Sequence, residues 1–310
     1  MAVTVGNGVT VGWEARVSID NGAVGGDKIV CVDQILMSHT RELVRNAEGA
    51  ICGDPDQPNN RTQKGRHLLQ GRLVFSPTGA VFDHIVPLLG WNELSPLSSY
   101  ELGVNDTLAT FDMKVDLEGS VHELTDCAVK SWSIRGSKGS RPIQMTIDYV
   151  AETETEGTFS GTALDIEDVY AYTDMSTFTI GGTDRLSADR ILLQVDNNPV
   201  IEFGASTTAT AYHIGNRQSV IATSTPYISG HDDLYWTNRD DEDGRNTVIT
   251  FASDDRTLTF TAAKAIGVTQ TPPVQSRAAQ IRLPVTMIPH RSVNLGARIS
   301  PLTLTIIDTP

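Results

Sequence analysis

Apolar and polar residues alternate with a period of two along several stretches of this 310-residue chain. Phe111, Met113, Val115 and Leu117 are interleaved with Asp112, Lys114 and Asp116. Ile143, Met145, Ile147 and Tyr149 alternate with Gln144, Thr146 and Asp148. The same rhythm runs through Leu258, Phe260 and Ala262, and through Ile281, Leu283, Val285 and Met287. Successive side chains of a strand point to opposite faces, so each stretch predicts a strand with one apolar and one polar face. Such strands build antiparallel sheets with one face on a core. Pro284 lacks a backbone donor, which predicts a sheet edge or a bulge at that position.

Helical periodicity is rare. Val81, Phe82, Ile85, Leu88 and Leu89 share one helical face, which predicts a short helix over residues 80–89. Thr78 is placed to cap it, and Pro87 should shorten or kink it. Residues 232–236 suggest a second, shorter helix. The fold class expected is therefore all-β.

The acidic, glycine-containing stretch 151–161 (AETETEGTFSG) reads as a boundary at mid-chain. On either side the order of elements repeats: a strand, a short helical segment, a long loop, a strand and a long hairpin. In the first half these are residues 69–76, 80–89, 110–117 and 127–150. In the second they are 219–225, 231–236, 247–251 and 258–287. Leu124, Thr125, Ala128 and Lys130 align with Leu258, Thr259, Ala262 and Lys264. This predicts two tandem β-sandwich or partial-barrel domains, 1–155 and 156–310, each with a short flanking helix.

Composition narrows the function. With 39% hydrophobic and 20% charged residues the chain is neither disordered nor membrane-like in class. No run of about 18 apolar residues occurs, and no membrane partner is expected. The amino terminus has no basic start followed by an apolar stretch, so it does not read as a secretory signal. Three widely spaced cysteines, Cys31, Cys52 and Cys127, predict free and mostly buried thiols in a reducing compartment. The 38 acidic against 24 basic residues, a formal charge of −14, argue against stable nucleic-acid binding. A surface that lets DNA slide past should instead repel it.

Candidate chemistry is sparse. The acidic run 238–246 (NRDDEDGRN) puts Arg239 and Thr250 where an EF-hand needs its first ligand and its glutamate, so it reads as a solvated turn. The seven histidines form no HExxH pair, and His231-Asp232-Asp233 suits a helix start. Ser160 lies in GTFSG, which is not a nucleophile elbow, and reads as a linker serine. Trp13, Trp91, Trp132 and Trp236 are scattered along the chain, which favours packing over a sugar-stacking platform. No phosphate-binding glycine loop opens a helix. No enzyme activity, metal or cofactor is expected.

Residues 66–91 (RHLLQGRLVFSPTGAVFDHIVPLLGW) and 127–155 (CAVKSWSIRGSKGSRPIQMTIDYVAETET) resemble the phage tail tube protein family, the first as its strand and flanking helix, the second as its long late hairpin. The resemblance is carried by residues 10–155; the second half departs in its short helix and in Pro272-Pro273. It implies a β-sandwich or partial barrel with a helix on its flank. It implies subunits that form rings and rings that stack into a hollow tube, with inner sheets joined laterally and a negatively charged lumen. It places the long polar loop 41–66 against the next ring, with Arg41, Glu42, Arg45, Asp54, Asp56, Arg61, Lys64 and Arg66 as contact candidates. The partners implied are further copies of the chain, as a homotrimer or homohexamer, and other tail proteins. DNA would pass only transiently and non-specifically. Two tandem tube domains in one chain would let a trimer mimic a hexamer. The chain would be made in the host bacterial cytoplasm and end in the virion tail. Two other readings stay open: a distal tail or baseplate ring protein, and a tandem β-sandwich module that binds glycans or a host surface.

Overall fold

A computed structural model describes residues 4–5, 9–10, 15–22, 26–45, 62–95, 98–102, 108–139, 142–165, 167–203, 209–226, 243–269, 282–294 and 297–308. The fold is all-β. The first half holds β1 (Thr4–Val5), β2 (Val9–Thr10), β3 (Ala15–Asp20), β4 (Lys28–Cys31), β5 (Gln34–Arg45) and β6 (Thr62–Phe75), then the helix α1 (Gly79–Ile85). It continues with β7 (Trp91–Ser95), β8 (Ser99–Leu102), β9 (Thr110–Leu117), β10 (Ser120–Ser137), β11 (Gln144–Ala151) and β12 (Thr153–Glu156). After β13 (Thr162–Ala163), the second half runs through β14 (Met175–Ile180), β15 (Thr183–Asp184), β16 (Arg190–Asp196), β17 (Val200–Phe203), β18 (Ala209–His213) and β19 (Gln218–Pro226). It ends with β20 (Arg245–Ala252), β21 (Arg256–Thr269), β22 (Arg282–Pro289), β23 (Ser292–Asn294), β24 (Ala297–Ile299) and β25 (Thr303–Asp308).

Eight strands form one antiparallel wall in the order β5-β6-β11-β10-β16-β19-β22-β21. The wall crosses from the first half to the second where β10 pairs with β16. The first part of β10 leaves the wall to pair with β9 and β12, and β9 continues to β3 and β4. The first part of β21 likewise pairs with β20 and β25, and β20 continues to β14. Alternate wall residues such as Leu73, Ile147, Trp132, Leu193, Ile221 and Val285 face this second layer and share one core with Val17, Met113, Phe178, Ile249 and Phe260. Burying so much apolar area is the main stabilising term.

The two halves repeat one ladder. The chain of pairs β3-β9-β10-β11-β6-β5 has its counterpart in β14-β20-β21-β22-β19-β16. A bulge between Leu124 and Cys127 in β10 matches one between Ala262 and Ala265 in β21. Leu124 therefore corresponds to Ala262, not Leu258, and the alignment expected from the letters is out by four residues. The element order expected from sequence holds for β6 and β19, β9 and β20, and the two late hairpins. The counterpart of α1 at 231–236 lies outside the described residues.

Other expectations are refined. Thr78 Oγ1 accepts the Val81 N–H at 3.3 Å, and Pro87 turns the last part of the helix into a 3-10 turn, Val86–Leu89. Phe82 packs edge-on against Tyr170 and Phe260, so α1 is gripped by the second half. Pro284 pairs with Ser224 of β19, so β22 is not a sheet edge on that side. Residues 151–156 are strand rather than linker: β12 pairs with β10, and Thr125 and Thr153 hydroxyls meet at 2.6 Å. Alternating threonines favour a pleated surface, which the acidic composition obscured. Cys127 is buried but Cys31 is exposed. Trp91 and Trp132 are not scattered in space: their rings pack 5.8 Å apart in the core.

Candidate assembly interface

The joint between the halves in the wall is a single strand pairing, β10 with β16. Seven residue pairs, from Ser131 opposite Asp196 to Ser137 opposite Arg190, bond β10 to β16. One end is fixed by Asn197, which is fully buried. Its side-chain amide donates to Val129 O at 3.0 Å and Leu89 O at 3.4 Å, and its Oδ1 accepts from Arg217 Nε at 2.9 Å. Its own N–H donates to Lys130 O at 2.9 Å. The Arg217 guanidinium is buried, which with the nearby Arg291 pulls its pKa down to about 10. At the other end Arg282 pairs with Asp189 at 2.5 Å, and Asp189 N–H donates to Ser224 O at 2.8 Å.

The two equivalent edges are open among the described residues. β5 is bonded to β6 alone, whereas its counterpart β16 is bonded to both β19 and β10. β21 beyond Ala265 is bonded to β22 alone, whereas β10 there has two partners. Leu36 on β5 and Val268 on β21 are half exposed. An unpaired strand edge of this kind is a template for another strand.

The expected contact loop is shorter than residues 41–66. Arg41, Glu42 and Arg45 lie on β5, and Lys64 and Arg66 lie on β6, as arms of one hairpin with Arg41 opposite His67 and Arg45 opposite Thr62. Asp54, Asp56 and Arg61 fall outside the described residues, as do 238–242 of the acidic run. The second half has its own hairpin at this place, β17 with β18, between β16 and β19.

The uncovered face of the wall is rich in serine, threonine and glutamine. Arg72, Lys130, Arg135, Arg190 and Arg282 on it outnumber Asp148 and Asp196. Arg72 is neutralised by Asp148 at 2.6 Å. Lys130, Arg135 and Arg190 are exposed. The net charge of −14 is thus concentrated elsewhere.

Ser160 is tied down. Its hydroxyl donates to Asp27 Oδ2 at 2.7 Å and accepts from Lys114 Nζ at 2.8 Å, and Lys114 pairs with Asp27 at 2.8 Å. That hydrogen bond to Asp27 raises the Lys114 pKa, so the amine stays charged and is unfit as a base for Ser160. His84 Nε2 donates to Ile19 O at 2.8 Å, and burial lowers its pKa. Both groups read as structural straps. Among the described residues no group of three or more His, Cys, Asp or Glu side chains could hold a metal, and no helix is long and apolar enough to cross a membrane.

Among curated proteins, none matches the chain. The family model described as phage tail tube protein matches residues 5–287, which extends well past the first half to which the resemblance in sequence was confined. A match over nearly the whole length, on an all-β chain, places both halves in one family: this chain belongs to the phage tail tube protein family.

Proposed function

We propose that the chain is the repeating unit of a tail tube, that each half is one tube-forming domain divided near residue 156, and that three chains close a ring of six such units. The observation that carries this reading is the β10–β16 joint together with its two open equivalents. Transposing the joint puts β21 of one copy against β5 of the next, with Val268 opposite Thr40 and Thr269 opposite His39. The interface is head-to-tail, and such contacts close into rings when the rotation closes. Stacked rings would enclose a bore lined by the uncovered wall face. Its hydroxyl and amide side chains and scattered cations offer a duplex no grip deep enough to stop passage, although the wall is less acidic than the resemblance implied.

Analytical ultracentrifugation and negative-stain electron microscopy over a concentration series test this. Threefold rings that stack into hollow tubes are expected. Rings that never stack would favour a distal tail or baseplate component, and a monomer at every concentration would count against self-assembly.

A further inference from the structure

We propose that the β5–β6 hairpin of one copy docks across the lateral joint onto β21 and β22 of the next copy, over Ile266 and Ile288. This rests on the ring reading above, and it names a contact within the ring rather than between rings.

The second half supplies the pattern. Its β17–β18 hairpin occupies the same place in the ladder. Val200 opposite His213 and Ile201 opposite Tyr212 stand where Val44 opposite Gln63 and Arg45 opposite Thr62 stand. That hairpin does not project into solvent. Tyr212, only 3% exposed, packs with Ile201, Phe203 and Ile214 on Leu108, Ala128 and Val150 of the first half. Leu108 N–H donates to Tyr212 O at 3.3 Å. The hairpin thus covers the half that its own strand β16 joins.

The equivalent surface in the second half is bare among the described residues. Ala128 pairs with Val150 as Ile266 pairs with Ile288. Val150 is 2% exposed, but Ile288 is 38% exposed and borders an open cavity with Val220, Pro289 and Arg291. An isoleucine left in water at the position where its counterpart is covered points to a cover supplied by another copy.

The chemistry of the contact changes between the two sites. Arg45 and Lys64 occupy the positions of Ile201 and Ile214. The hairpin that docks between chains thus carries basic residues at register positions where the one packed within the chain carries isoleucines.

Two variants with one introduced cysteine test it, Thr62→Cys and Ile288→Cys, each in a full chain carrying Cys31→Ser and Cys52→Ser. Cys127 stays, since burial raises its thiol pKa well above the usual value and keeps it inert. The variants are mixed, assembled and oxidised, and rings are counted by microscopy in the same samples. A disulfide-linked pair of chains in the mixture, absent from either variant alone, is expected. Rings without that link would overturn the docking while leaving the ring reading intact. No rings and no link would overturn both.

Discussion

Replacing Asn197 by alanine should cost the fold about 3 kcal/mol. The side chain is fully buried where β16 leaves the joint, and it satisfies three groups: Val129 O, Leu89 O and Arg217 Nε. A buried polar group left unpaired costs about 1–3 kcal/mol, with hydrogen bonds to a charged group at the upper end. Arg217 is the most sensitive of the three, because its two terminal nitrogens have no hydrogen-bond partner among the described residues. Leu89 O is the least, because Trp132 Nε1 also donates to it at 3.2 Å. Partial relaxation brings the total to about 3 kcal/mol. With an unfolding entropy of about 2.1 cal/mol/K per residue, this corresponds to a fall in Tm of about 5 °C for a chain of this length. Guanidinium unfolding followed by tryptophan fluorescence is the direct assay, since Trp132 reports on the same carbonyl. Asn197→Asp should fall in between: it can still accept from Arg217 but cannot donate to the two carbonyls. A loss under about 1 kcal/mol in Asn197→Ala, with Trp132 emission unchanged, would refute the reasoning.

The strap of Asp27, Lys114 and Ser160 gives a pH signature. The hydrogen bond from Lys114 holds the Asp27 carboxyl below its usual 3.8, so its contribution is present above that value and is lost as pH falls through the lowered one. Lys114 is raised above its usual 10.5, so its part is present below that value and is lost as pH rises through the raised one. Lys114→Met should cost about 1 kcal/mol at neutral pH, and its urea midpoint should converge with that of the parent as pH falls through the lowered value of Asp27. His84 is buried neutral with a lowered pKa, so unfolding takes up a proton as pH falls through its usual 6.5. The drop in Tm between pH 7.5 and 5.5, read by calorimetry, should be smaller in His84→Gln. Deleting residues 49–60 should leave circular dichroism and Tm close to those of the parent but abolish stacking; normal tubes from that variant would remove this segment from the contact between rings.

Much of the fold was legible in the chain because strand faces are written locally. Phe111 to Val115 and Leu283 to Met287 alternate in sequence and in burial alike. The repeat was legible as an order of elements, but its alignment slipped because the bulge around Asp126, a non-glycine residue at φ 48°, shifts the register without any turn residue to announce it. A better signal was present: Ile35-Leu36-Met37 and Ile191-Leu192-Leu193 occupy equivalent positions in β5 and β16. The contact loop was visible as a long polar stretch, but its arms continue a ladder whose charged residues do not alternate with apolar ones. The joint itself was hidden, since β10 and β16 meet through long-range pairing. Asn197-Asn198-Pro199 has the composition of an exposed turn, and only the fold buries the first of these residues.

A reconstruction of the assembled protein by cryo-electron microscopy, at a resolution that traces strands, tests the central claim most directly. The wall should run unbroken from one chain to the next, with β21 bonded to β5 of its neighbour, Val268 opposite Thr40, and three chains in each ring. Rings of six chains, or chains joined through any other pair of edges, would contradict it.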